Sequence, residues 1–229
     1  TILERNSHIL YLPLHWQEEV YGYLSLECGE QELDYEQLKD FMMAMAQILG
    51  TVKNQSKLYE MYIRDALTGL FNRRGFYGEL TRQMKVLEGQ DCRIFMASVD
   101  LDHLKMINDT YGHSEGDVAI RAIADALSEA AGEKGICARF GGDEYVAICL
   151  WKAEEVPDDF VKIFEKRLHS WIDRWNATKQ KGYELGASTG MIMESIEDVD
   201  EIDELMKKAD DNMYDCKVRH HSVRSSRRQ

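Results

Sequence analysis

The sequence has no run of about 18 consecutive apolar residues, so no segment of it is expected to span a bilayer. It shows no signal peptide. It also has no CxxC pair: the five cysteines, Cys28, Cys92, Cys137, Cys149 and Cys216, are odd in number and widely spaced. A structural zinc site or a disulfide framework is therefore disfavoured. Several of these cysteines sit in apolar runs and read as buried free thiols of a reducing, cytoplasmic compartment. Positive charge is scarce, since 28 Lys and Arg stand against 41 Asp and Glu, for a net charge of −13. That balance argues against a DNA-binding protein and against a membrane-surface role. What is present is globular: 44% of the 229 residues are hydrophobic and 30% are charged,. At about 150 residues per domain, the length suggests one large domain, or one domain plus a fragment of another. The first residue is Thr1 rather than methionine. The sequence is read as a fragment, with any targeting segment or membrane tether lying upstream.

Three blocks follow one another. Residues 1–34 contain Ile9 to Leu14 and Val20 to Leu26, two stretches of strand composition separated by His15 to Glu19. A hairpin is expected there. Two strands cannot build a core alone, so this block reads as the tail of a larger β-containing domain. Residues 35–64 hold no proline and a single glycine, Gly50. Leu38, Phe41, Met45, Ile48, Val52, Gln55, Tyr59 and Tyr62 recur at spacings of 3-4-3-4-3-4-3, and only Gln55 is polar. This a/d seam fits a coiled coil between two copies of the chain; the alternative is an amphipathic helix packed on its own domain.

The third block spans residues 65–221. Helical patterns cover Arg73 to Leu87, Leu104 to Asn108, Glu115 to Ala131, Asp158 to Thr178 and Asp203 to Lys217,. Strand patterns cover Arg93 to Asp100, Ile136 to Phe140, Tyr145 to Leu150 and Leu185 to Met193,. Without its first helix the order is βαββαβ plus a closing helix. The fold class is therefore α+β, a ferredoxin-like or palm antiparallel sheet flanked by helices. The acidic run Glu194 to Glu204 reads as a solvated loop and helix start. The basic end, residues 222–229 with Arg219 just before it, reads as a frayed, solvated tail rather than a nucleic-acid contact.

Two places in this block carry chemistry. The strand ending Ser98-Val99-Asp100-Leu101-Asp102 closes on two carboxylates at i and i+2, which share one side of a sheet,. Gly141-Gly142 form a tight turn between two strands and are followed at once by Asp143 and Glu144,. In a split βαβ sheet the first and third strands are antiparallel neighbours, so the two acidic pairs would meet at one sheet edge. Such acids are either solvated turn residues or oxygen ligands of a hard cation, Mg²⁺ or Mn²⁺. Convergence of two pairs favours the cation, because packed carboxylates repel unless one is bound.

Taken together, these residues resemble a GGDEF domain, the catalytic domain of diguanylate cyclases. The signature reads Gly141-Gly142-Asp143-Glu144-Tyr145, with tyrosine in place of the final phenylalanine. Arg64 to Arg74, Asp100 to Asp109, Tyr111-Gly112-His113, Gly116-Asp117, and Ala209-Asp210 with Met213-Tyr214 and Lys217 are similar to the family in the same order,. The resemblance implies condensation of two GTP into cyclic di-GMP with release of two pyrophosphates, by a homodimer of facing half-sites held through helix 38–62. It implies that Asp100, Asp143 and Glu144, with the Leu101 carbonyl, bind Mg²⁺ or Mn²⁺. Asp143 is alternatively the base for the ribose 3′-hydroxyl. Asn108 and Asp117 resemble the guanine readers; His113, Lys105, Lys217, Gly141 and Gly142 resemble the remaining substrate contacts. Where the family often has an arginine four residues after the second lysine, this chain has His221, with Arg219 nearer. The family's inhibitory arginine-x-x-aspartate pair falls on Gly132 and Gly135, so no such inhibitory site is expected. Residues 1–34 resemble, more faintly, the last strands of a GAF sensor domain. Two other readings stand beside these: a catalytically silent GGDEF module that binds GTP and regulates a partner, and a palm polymerase or other nucleotidyl cyclase built on the same sheet.

Overall fold

Short apolar runs rich in β-branched and aromatic residues decide where the central strands of this protein lie,. The structure, a computed structural model, describes residues 5–6, 9–16, 19–27 and 35–226, with side-chain surroundings for 11–14, 20, 22–25 and 40–214. The chain divides into two units, Thr1–Tyr62 and Ile63–Gln229.

In the first unit, β1 (Arg5–Asn6), β2 (Ile9–Trp16) and β3 (Glu19–Glu27) form an antiparallel sheet in that order. The expected hairpin is present and gains a two-residue strand that carries no alternation signal. Its strands run further than expected, to Trp16 and from Glu19, and the turn between them lies outside the described residues. Helix α1 (Tyr35–Ile63) follows. Along it Phe41, Ile48, Val52, Tyr59 and Tyr62 are exposed, whereas Met42 is buried. Gln55 is exposed as well, so within the single chain six of the eight seam positions face solvent; the Leu38 side chain lies outside the described residues.

The second unit is a four-stranded antiparallel sheet of β4 (Cys92–Leu101), β5 (Gly135–Gly141), β6 (Glu144–Lys152) and β7 (Ala187–Ile196), ordered β5-β6-β4-β7. The α+β expectation holds, with β4 beside β6. Phe95, Ala97, Val99 and Leu101 of β4 and Tyr145, Ala147 and Cys149 of β6 face one layer, made by α4 (His113–Ala131) and α5 (Phe160–Lys179). Ile94 and Met96, with Val146, Ile148 and Leu150, face the other, made by α2 (Arg73–Val86) and α6 (Ile202–Ser226). This period of two sends successive apolar side chains of the central strands into one core and then the other,. Each large apolar side chain so buried contributes about 1.5–3 kcal/mol.

Helix α3 (Leu104–Tyr111) follows β4 after His103, whose φ of 61° turns the chain out of the strand. Helix α6 runs past Lys217 to Ser226. The expected frayed end is therefore helical through that residue, and no glycine or proline lies between Ile202 and Ser226 to stop it,. Glu194, read from sequence as loop, instead lies within β7 and pairs with Lys208 at 2.9 Å.

Candidate active site

Hairpin geometry builds the site. β5 and β6 are joined by a two-residue turn, Gly142-Asp143, flanked by the pair Gly141 and Glu144. Gly142 has φ of 48°, the left-handed value that glycine adopts without strain in such turns,. Phe140 is skipped in the pairing, a bulge between Arg139 and Gly141. It packs instead on Phe76 and Tyr77 of α2, and the Arg73 guanidinium lies 5.2 Å from its ring centroid.

The register between the two central strands sets Asp100 opposite Glu144. Both have the parity of Ser98 and Val146, so both project on the α2/α6 face. Asp143 sits in the turn, where its carbonyl accepts a hydrogen bond from the Leu101 N–H at 3.0 Å. The acids thus converge as expected, at the ends of the two central strands rather than at a sheet edge. Asp102 does not join them. Its carboxylate accepts from Ser188 Oγ at 2.7 Å, and its N–H donates to the Gly186 carbonyl, both on the β7 side. Among the described residues no three His, Cys, Asp or Glu side chains form a ligating cluster.

Beside Glu144 lies a recess of about 390 Å³ whose walls include Phe140, Met213 and Tyr214. On its floor Ser98 Oγ donates to Asp210 of α6. Gly190 of β7 is the reason α6 can lie so close. A Cβ there would stand 2.0 Å from the Ala209 carbonyl oxygen and 2.3 Å from the Met213 nitrogen. The same helix carries Lys217 two turns further on; the Lys217 and His221 side chains lie outside the described residues.

Arg139, two residues before the first signature glycine, grips the turn from the other side. Its Nε and Nη2 donate to the Gly142 carbonyl at 3.0 and 2.8 Å, and its Nη1 lies 3.2 Å from Asp65. Asp65 also accepts from the Thr68 backbone N–H and hydroxyl at 2.9 and 2.7 Å. Burial pushes the Asp65 carboxyl up, but these bonds and the guanidinium together outweigh it and hold it below its usual range,. A carboxyl with a lowered folded-state pKa contributes stability above its unfolded pKa, and that contribution disappears as pH falls through the folded value. Asp65→Asn is therefore expected to lose about 1–2 kcal/mol at neutral pH. In urea titrations the difference from wild type should be constant above about pH 5 and should shrink below about pH 4. A gap that widens on acidification would contradict this account.

Neither Arg139 nor Asp65 was singled out by sequence reasoning as part of the site. The usable signals were the Asp-x-x-Thr spacing of a self-closing turn and a lone arginine next to paired glycines. Asp210, Ser98 and Gly190 gave no such signal.

On the α4 side, Asn108 of α3 and Asp117 of α4 are half-buried, while Lys105 and His113 are exposed. Asn108 lies against the first turn of α4: a Cβ on Gly116 would meet its Oδ1 at 2.0 Å. At the other end of α4, Gly132 has φ of 70°, and a Cβ on Gly135 would stand 2.3 Å from the Cβ of Ala131.

The family described as "Diguanylate cyclase, GGDEF domain" matches residues 62–222. Among curated proteins, the probable diguanylate cyclase DgcJ of Escherichia coli K12 is 30% identical over 171 residues, which cover 73% of this chain and 32% of that protein. Diguanylate cyclase VdcA of Vibrio cholerae is 31% identical over 170 residues, covering 74% of this chain and 48% of that protein. The chain thus spans about a third to a half of the length of these relatives. Among solved structures, the coiled coil and GGDEF domain of DgcB from Caulobacter crescentus, in complex with c-di-GMP, covers 80% of this chain and 93% of its own, with a TM-score of 0.62 at 24% identity. The GGDEF domain of the same protein alone covers 68% of this chain and 90% of its own, with a TM-score of 0.55 at 28% identity.

Proposed function

Because the chain belongs to the GGDEF domain family of diguanylate cyclases, we propose that it condenses two molecules of GTP into cyclic di-GMP and releases two pyrophosphates. The observation that carries this reading is the facing register of Asp100 and Glu144, closed by a turn that Arg139 and Leu101 hold in place. Two facing carboxylates suit Mg²⁺ or Mn²⁺, which bind through one or two protein carboxylates together with substrate phosphates rather than in an all-protein cage. Asp100, Glu144 and the Leu101 carbonyl would hold the ion, with Asp143 beside them as the base. When bound, it neutralises charge on the α-phosphate and the attacking oxygen.

The chain's own residues do the rest. Asp117 offers two acceptor oxygens to the paired N1 and N2 donors of guanine, and Asn108 joins it from α3. Gly141 and Gly142 leave the turn without side chains, so its backbone can approach a triphosphate. Lys105 and Lys217 supply phosphate contacts. In each half-reaction a ribose 3′-oxygen forms a bond to an α-phosphorus, the bond to the pyrophosphate oxygen breaks, and Asp143 takes the hydroxyl proton. Since each site holds one GTP, two copies must face each other. The exposed seam of α1 supports a parallel helical dimer that keeps them at high effective concentration,. The β1–β3 sheet is read as part of a GAF-like sensor unit acting on that helix. No described helix is long and apolar enough to cross a membrane, and the free thiols Cys137 and Cys149 suit the cytoplasm.

The test is incubation of the purified chain with GTP and Mg²⁺, with chromatography of the products. Cyclic di-GMP should appear at a rate per chain that rises with chain concentration. Retention of GTP without any product would instead support the silent module. Gly132 and Gly135 lead to a further expectation. Cyclic di-GMP added at micromolar levels should leave the rate unchanged; marked non-competitive inhibition would refute it.

A further inference from the structure

We propose that the segment Lys181-Gly182-Tyr183 is a strap that fixes the angle between α3 and α4 and thereby sets selectivity for guanine, with Glu115 and Tyr183 as its positioning residues. The inference rests on the reading of Asn108 and Asp117 as base readers. These two residues lie on different helices, joined through a single residue, Gly112, with φ of 88°. Their mutual placement therefore depends on how the two helices are braced. Asn108 is already wedged against Gly116, where no side chain would fit, so a small rotation of α4 moves Asp117 relative to the amide.

The strap touches both helices within three residues. Lys181 Nζ lies 2.9 Å from Glu115, in the first turn of α4 and two residues before Asp117. The Tyr183 hydroxyl donates to Glu115 Oε2 at 3.2 Å. The Tyr183 ring packs on Tyr111, the last residue of α3, with centroids 5.3 Å apart. The Tyr111 hydroxyl donates to the Gly182 carbonyl. Gly182 lies flat under Tyr111, where a Cβ would come within 2.8 Å of the ring. The strap itself is anchored on α5: Asn176 bonds both the N–H and the carbonyl of Leu185, at 2.8 and 2.9 Å. Tyr183 is buried, while Glu115 is half-buried and Tyr111 exposed, so the strap's contacts lie at the rim of the core. Burial first, and the Glu115 carboxylate second, push the Tyr183 hydroxyl up to about 12, while Lys181 holds Glu115 below its usual range. At neutral pH the ion pair and the neutral hydroxyl are thus both present.

A site that pairs its acceptors with the guanine amino group rejects a base lacking it, provided the acceptors are correctly placed. Inosine differs from guanosine only in that amino group. The probes are 3′-deoxy-GTP and 3′-deoxy-ITP, which lack the attacking hydroxyl and bind without turnover, titrated calorimetrically into the full chain with Mg²⁺. Wild type should prefer guanine by about tenfold, equivalent to about 1.4 kcal/mol. Glu115→Ala should bring that preference close to unity, mainly by weakening guanine binding. Glu115→Gln, which keeps an acceptor, should restore most of it. Lys181→Met combined with Tyr183→Phe gives the same reading from the other side of the contact should Glu115→Ala fail to fold. Arg174→Ala breaks an exposed 2.6 Å ion pair with Glu129, between the same strap-bearing helix α5 and α4, and should leave the preference intact. Folded strap variants that keep the full wild-type preference overturn the strap. A wild-type chain without any preference overturns the guanine reading beneath it.

Discussion

Glu144→Gln is expected to lower cyclic di-GMP formation by about 10³-fold, or roughly 4 kcal/mol of transition-state stabilisation. The substitution keeps the shape of the side chain and removes only its charge. That charge is what two anionic nucleotides and a facing carboxylate would have to share through a cation. Stability should not follow activity. Glu144 is exposed, and its strand partner at this register is another acid, Asp100. Like charges directly opposite each other on paired strands are destabilising. The melting temperature should therefore stay within about 2 °C of wild type or rise slightly. Product chromatography and a thermal scan on the same preparation check both halves. A variant that still makes cyclic di-GMP at a wild-type rate would remove Glu144 from the chemistry.

Gly190→Ala should be the most damaging single methyl group in the second unit. The added carbon would overlap the Ala209 carbonyl oxygen and the Met213 nitrogen, and both are main-chain atoms that cannot turn aside. Either α6 moves off the sheet or β7 bends. Overpacking of this kind costs about 1–3 kcal/mol, occasionally more, which lowers the melting temperature by roughly 3–10 °C in a unit of this size. The displacement also strains the Ser98–Asp210 bond and carries Lys217 with it, so affinity for GTP should fall even at temperatures where the protein stays folded. Gly78→Ala is the matched control. Gly78 lies on the exposed side of α2 with nothing within 4 Å of an added Cβ. There alanine should be neutral or stabilise by up to about 1 kcal/mol. Equal losses at both positions would show that close packing of α6 is not the cause.

The sheet and its helices were legible because their signals are local. Apolar runs in β4 and β6, and the helical periodicity of α4 and α5, placed the strands and most helices of the second unit to within a few residues,. The pairing of Asp100 with Glu144 was also legible, since it follows from topology once the element order is known. Asp102 was misplaced for a physical reason: alternation gives the side of a strand, not the partner, and Ser188 on the far neighbour was the better donor. Asp65 with Arg139, Ser98 with Asp210, and Glu115 with Lys181 were not legible as pairs, because they join residues 74, 112 and 66 positions apart. Gly116, Gly182 and Gly190 read as ordinary glycines until a neighbour is seen where their side chain would be. The helical end beyond Lys217 was missed because a basic, acid-free stretch was read as solvent-loving when it merely lacks a stop signal.

The backbone at Gly132 and Gly135 limits what this loop can become. Gly132 sits at φ 70° and ψ −167°, territory essentially reserved for glycine,, and Gly135 is pressed on Ala131. An arginine and an aspartate could not be installed there by two codon changes alone; the end of α4 would have to be rebuilt first. A brake on runaway output is thus separated from this loop by a conformational barrier as well as a mutational one. On the proposed reading, restraint would fall to degradation of the product or to whatever governs the pairing of two copies.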